Sequence, residues 1–164
     1  MVVARVDEAI ALRDHWNDAF SVDVRARNST SLSTTISKTT TTRTIVADAR
    51  YWSLWPERPP LLLLGYAPPT QVDELIEREV TLTVWSEQQL RDIVDGARRV
   101  RRRASVQIKC NTGMNRIGVD SPQALASLVQ LANSHADVVA LRGVYTHFAC
   151  AGESCYVFVM NKDV

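Results

Sequence analysis

The sequence predicts an α/β fold with parallel strands, and three observations carry that expectation. Short apolar runs of strand length alternate with longer stretches of helical period. Turn and cap residues sit between them. The composition, 46% apolar and 23% charged over 164 residues, suits one globular core. Such alternation joins parallel strands through helical crossovers. An open doubly wound sheet and an arc of a closed barrel both satisfy it, although the chain is too short for a whole eight-stranded barrel of about 250 residues.

Residues 2–6 open as a short strand leading into a helix, with Asp7 as the expected N-cap and Ala9, Ile10, Leu12 and Trp16 along one face. The period then stops. Twelve of the sixteen residues from 29 to 44 are Ser or Thr, a composition that buries too little to offset its ordering entropy. Residues 21–60 are therefore expected to be a disordered, Ser/Thr-rich insertion, whose end carries Tyr51, Trp52 and Trp55 as a locally packed loop patch. Regularity returns with the leucines at 61–64, closed by Gly65, the run expected of a strand covered on both faces. After Pro68 and Pro69, the spacing of Val72, Leu75, Ile76 and Val80 predicts a short amphipathic helix.

Residues 81–85 read as the next strand. Ser86 with Gln89 is a capping box, and Leu90, Ile93, Val94, Ala97 and Val100 form one apolar stripe behind it. Arg98, Arg99, Arg101, Arg102 and Arg103 close that helix, where cations suit its dipole. Val106 and Ile108 alternate with Gln107 and Lys109, which puts the lysine and the glutamine on one strand face. Ser121 as N-cap and Pro122 at the first helical position start another helix, with Leu125, Leu128, Val129 and Ala132 as its buried face. Residues 138–148 hold the last strand.

Charge narrows the partners. Nineteen basic against eighteen acidic residues leave a net charge of +1, so no overall field draws the chain onto nucleic acid or acidic lipid. The arginine run is one helix end without interleaved aromatics. Neither a nucleic-acid nor a membrane partner is expected. Cys110, Cys150 and Cys155 sit in no metal-ligand spacing, and no apolar stretch reaches signal or span length. A reduced, cytoplasmic setting is the expectation.

In either architecture the site lies at the C-terminal ends of the strands. Two segments end strands with unusual polar residues: residues 109–118, which contain Lys109 and Arg116, and residues 145–149, which contain His147. A lysine on a strand, an arginine in the following loop and a histidine ending the next strand could converge on one anionic ligand. The alternatives are a lysine snorkelling at a strand end, an arginine capping a loop carbonyl and a hydrogen-bonded core histidine. These placements favour the barrel arc.

Residues 109–118, Lys-Cys-Asn-Thr-Gly-Met-Asn-Arg-Ile-Gly, resemble the K-V-D-T-G-M-x-R-x-G signature of alanine racemases, and residues 144–149, Val-Tyr-Thr-His-Phe-Ala, resemble their x-x-T-H-F-A strand. Residues 3–13 are similar to the family's A-V-A-R-x-x-E-A-x-x-L-R segment, and residues 61–69 to its L-V-L-G-x-x-x-P stretch. The resemblance covers residues 1–20, a strand–helix unit, and 61–153, further βα units. Residues 154–164 form a tail outside it. It implies a partial (β/α)8 TIM-type barrel, truncated at both ends and interrupted by the insertion.

The function implied is pyridoxal 5′-phosphate-dependent interconversion of L-alanine and D-alanine by a homodimer with a further β-rich domain. By position, Arg116 would contact the phenolic oxygen of the cofactor and the substrate carboxylate. Lys109 matches a lysine that is often carbamylated, and His147 a histidine packed on the cofactor ring. Arg116 and Lys109 are thus the candidate catalytic residues, and His147 and Arg116 the candidate cofactor-binding ones. Carbamylation would make Lys109 negative and let it orient Arg116, where two bare cations repel.

Two departures stand out. Asn111 occupies a position where the family usually has Asp. The strand of the Schiff-base lysine, K-A-N-A-Y-G-H-G, is not found, and neither Lys38 nor Lys162 lies in such a context. The expectation is a chain without efficient turnover on its own. The alternative is a non-catalytic remnant or association module pairing through open barrel edges.

Overall fold

The computed structural model describes residues 2–14 and 60–149. Trp16, Lys38, the Ser/Thr tract, the aromatic patch at residues 51–55, Cys150, Cys155 and the tail at 154–164 lie outside the described residues. Five strands, β1 (Val2–Val3), β2 (Leu61–Leu63), β3 (Val80–Val84), β4 (Ala104–Cys110) and β5 (Val139–Thr146), stand side by side in sequence order. Every neighbouring pair is parallel. This order separates the two architectures that periodicity left open. A doubly wound sheet reverses its direction of growth at a switch point, whereas strands added in one direction form the arc of a (β/α)8 barrel. Among the described residues the arc is open, with β1 and β5 at its edges.

The helices are α1, helical over residues 6–14, α2 (Pro69–Glu77), α3 (Glu87–Val100) and α4 (Pro122–Ser134). Strict alternation builds the core. Leu61, Leu63, Val80, Leu82, Val84, Ala104, Val106 and Ile108 are buried on one sheet face, where they cluster with Val72, Leu75, Leu90, Ile93, Val94, Ala97 and Leu128 of the helices. Each valine, leucine or isoleucine among them contributes about 1.5–3 kcal/mol by leaving water. The opposite face carries Leu62, Thr81, Thr83, Ser105, Gln107 and Lys109, so the glutamine and lysine do share a face.

Local signals set most helix ends. Ser86 Oγ accepts from Gln89 N–H at 3.3 Å while Gln89 Oε1 accepts from Ser86 N–H at 3.1 Å, the reciprocal capping box. Ser121 Oγ accepts from Ala124 N–H at 3.1 Å. The arginine run is spent inside the chain. Arg99 makes two hydrogen bonds, 2.7 and 2.9 Å, to Asp73 of α2 and holds that carboxyl below the usual range. Arg102 donates to Glu77 O and Arg103 to Val139 O.

Three expectations are corrected. The first strand is only Val2–Val3, and Asp7 lies inside α1, paired with Arg5 at 3.0 Å. Glu8 caps instead, because its longer side chain reaches back to the N–H groups of Ala4 and Arg5, both at 3.2 Å. Val80 belongs to β3 rather than α2, since Glu79, at φ 57°, turns the chain out of the helix. No described helix is long and apolar enough to cross a membrane.

Candidate functional site

The polar rim is assembled from the C-terminal ends of β4 and β5, and a β-bulge decides what it contains. Leu141 pairs with Val106 on the helix-covered face, but the next partner of β4, Gln107, faces Gly143, so Arg142 and Gly143 together oppose one residue. A bulge re-aims every side chain beyond it. Without the extra residue, Val144 would lie beside Lys109; with it, Tyr145 does. His147, two residues further, lies just past the end of β5 and is exposed.

After Cys110 the chain makes a closed excursion. Asn111 N–H donates to Val119 O and Val119 N–H to Lys109 O, each at 2.9 Å, so the chain leaves β4 and returns beside it. Gly118 makes the return feasible: its φ is +139°, and a Cβ there would stand 2.5 Å from Asn111 N. Asn111 organises the interior of the excursion. Its Oδ1 accepts from the N–H groups of Gly113 (3.2 Å) and Asn115 (3.0 Å), and its Nδ2 donates to Asn115 Oδ1 (2.9 Å) and Asp120 Oδ1 (2.6 Å). Both donor and acceptor ends are used, which a carboxylate could not reproduce. The family departure at this position therefore has a local partner.

A second tie joins the excursion to β5. Thr146 Oγ1 gives its proton to Cys110 O at 2.9 Å, so Thr112 donates in the 2.6 Å contact between the two hydroxyls. Arg116 projects from this loop and is exposed. Lys109 is 6% exposed. Burial, and after it the charge of Arg116, push its pKa below the ordinary lysine value. Its Nζ lies over the ring of Tyr145, 5.7 Å from the centroid. Burial in turn raises the Tyr145 phenol above its usual range.

Lys109 and Arg116 are thus brought close enough to repel. His147 stands at the rim, with no hydrogen bond or ion pair to either among the described residues. No cluster of His, Cys, Asp and Glu among the described residues is arranged to hold a metal ion. Sequence reasoning passed over Tyr145, Thr83, Thr112 and the full role of Asn111. The available signal was Gly143 inside a strand, a common mark of a bulge.

The model of the alanine racemase N-terminal domain matches residues 1–159. The chain belongs to the alanine racemase N-terminal-domain family. An alanine racemase of Oceanobacillus iheyensis is 38% identical over 92 residues, covering 56% of this chain and 24% of that protein. An alanine racemase of Desulforamulus reducens is 41% identical over 96 residues, covering 57% of this chain and 25% of that protein. Among solved structures, an alanine racemase of Clostridium difficile 630 superposes with a TM-score of 0.54 at 31% identity, over 58% of this chain and 25% of that one. The chain spans about a quarter of the length of the curated relatives it matches.

Proposed function

We propose that the β4–β5 rim is the anion-binding part of a pyridoxal 5′-phosphate site serving the interconversion of L-alanine and D-alanine. The placement of Lys109 near the end of β4 and of Arg116 in the loop that follows, two cations with no carboxylate partner among the described residues, carries this reading. The cofactor, when bound, supplies stabilisation of the carbanion formed at the substrate α-carbon. Arg116 would bind the substrate carboxylate and the cofactor's phenolic oxygen. Lys109 would orient Arg116, as a carbamate once carbon dioxide has reacted with its neutral amine and a proton has left, and His147 would pack against the cofactor ring. Family membership supports a cytoplasmic homodimer as the working assembly.

The described residues suit the anionic side of such a cofactor better than its covalent attachment. Lys109 is the only lysine among them, and it is buried against Tyr145. For these 164 residues on their own the proposal is therefore saturable binding without efficient turnover.

Spectroscopic titration of the full chain with pyridoxal phosphate tests this. Saturation is expected, and Arg116→Ala should weaken it at least about tenfold, the equivalent of one lost charge-assisted contact. Absence of saturation, or indifference to Arg116→Ala, would overturn the site. A visible band fixed by borohydride, together with alanine turnover, would overturn the restriction to binding.

A second reading, association through the sheet edges, is favoured by the edges at β1 and β5, open among the described residues, and by exposed Val2, Val144 and Phe148. Size-exclusion chromatography with and without pyridoxal phosphate separates the two, because edge pairing gives oligomers indifferent to the cofactor.

A further inference from the structure

We infer that Tyr145 is a positioning residue for Lys109: its ring face, fixed from behind by Thr83, gives the lysine ammonium a defined resting place beside Arg116. The inference rests on the reading of Lys109 as a site residue. Hydroxyl protons establish how the ring is fixed. Thr83 Oγ1 has one proton and lies 2.6 Å from Leu63 O, which can only accept. In the 2.8 Å contact between Thr83 Oγ1 and Tyr145 Oη, the tyrosine is therefore the donor. The relay runs from β5 to β3 to β2. Because β4 stands between β3 and β5, the phenol spans the inner face of β4, where Lys109 lies.

The relay also commits Tyr145 to its neutral form. Thr83 would favour a phenolate only by donating to it, and its proton is already engaged. The ring thus keeps the electron distribution that attracts a cation, and 5.7 Å is within cation–π reach. Among the described residues no carboxylate pairs with Lys109. The titratable groups bearing on it are Arg116, from the loop after β4, and Tyr145, from β5; β3 presents Thr83 and β4 presents Gln107, neither of which titrates. Burial and Arg116 both work against the ammonium, and the ring face works for it. Held this way, the unmodified Lys109 stays beside Arg116 until carbon dioxide reacts with it.

NMR of the full chain with its lysines 13C-methylated tests the inference without any cofactor. Lys38, Lys109 and Lys162 give few signals, and Lys109→Arg assigns the relevant one. Lys109 is expected to titrate below the other two. Tyr145→Leu, which keeps apolar cover but removes the ring face, should move the titration lower still, while Tyr145→Phe restores it toward wild type.

If the ring only shields the amine from water, Tyr145→Leu raises the titration instead. That result, or no change, overturns the inference. In the unmutated chain, cross-relaxation between the Lys109 methyl groups and the Tyr145 ring protons is expected, and its absence also overturns it. Pyridoxal phosphate takes no part in these measurements, so failure of the cofactor to bind would refute the functional reading without touching this one.

Discussion

Replacing Asn111 by Asp would restore the residue usual in the resembling signature, yet the contacts in this chain oppose it. Asn111 Nδ2 donates to Asp120 Oδ1 at 2.6 Å, and Asn111→Asp sets two carboxylates against each other there. Unit charges 4 Å apart repel by about 1 kcal/mol in water and about 4 kcal/mol at an effective dielectric of 20. Asp120 is exposed and Asn111 half-buried, so the lower part of that range applies. A lost hydrogen bond to a charged acceptor adds about 1.5–3 kcal/mol. Part of this returns through stronger acceptance from the Gly113 and Asn115 N–H groups.

The net expectation is a destabilisation of about 2 kcal/mol at pH 7, or roughly 5–10 °C in Tm. Its sign against pH is fixed by linkage. The introduced carboxyl is harder to ionise in the folded chain than in the unfolded one, so the folded variant holds the proton more tightly. The deficit should shrink as pH falls from neutrality toward the ordinary carboxylate range. Urea unfolding of both proteins at pH 8, 6 and 4 in low salt measures it. Equal stability at pH 7, or a gap that widens on acidification, would refute the reasoning.

Gly118→Ala combines a φ of +139° with a Cβ 2.5 Å from Asn111 N. It should cost about 2–3 kcal/mol in denaturant unfolding, more than a simple left-handed strain of about 1 kcal/mol. Ser86→Ala removes the capping box of α3 and should cost about 1 kcal/mol, with faster amide exchange confined to the first turn of that helix. Lys109→Met should stabilise the chain by about 1 kcal/mol at neutral pH by removing a buried charge that no carboxylate among the described residues pairs. Because the folded-state pKa of Lys109 lies below its unfolded value, the wild-type chain gains stability as pH rises through that window. The advantage of the variant should therefore fade in alkali, as unfolding curves at pH 7 and pH 10 would record.

Local chemistry was the part legible in advance. Ser86 with Gln89 and Ser121 with Pro122 act over three residues or fewer, and both start helices where the spacing placed them. Period-two alternation put Gln107 and Lys109 on one face. Asp7 and Glu8 differ by one position and one methylene, too small a difference for a cap rule to resolve before the turn geometry was known.

The site demanded non-local information. Tyr145 and Thr83 are 62 residues apart, and their meeting depends on parallel register and on the bulge that shifts β5 by one residue. A regular reading of residues 138–148 places Tyr145 on the helix-covered face with Leu141 and Val139. Only Gly143 hints otherwise. For Asn111, one carboxylate missing from a signature looked like a lost charge; the acceptor it serves, Asp120, lies nine positions on and outside that signature.

The excursion from Asn111 to Gly118 is tied at its base by two backbone hydrogen bonds between Lys109, Asn111 and Val119. Its ends therefore stay together whatever residues stand between them, and lengthening such a closed loop adds little entropic cost. Strand β4 and helix α4 do not depend on its tip. The fold thus separates the length of the excursion, which the closed base leaves free, from the end of β4 beneath it, which the two backbone hydrogen bonds hold in register.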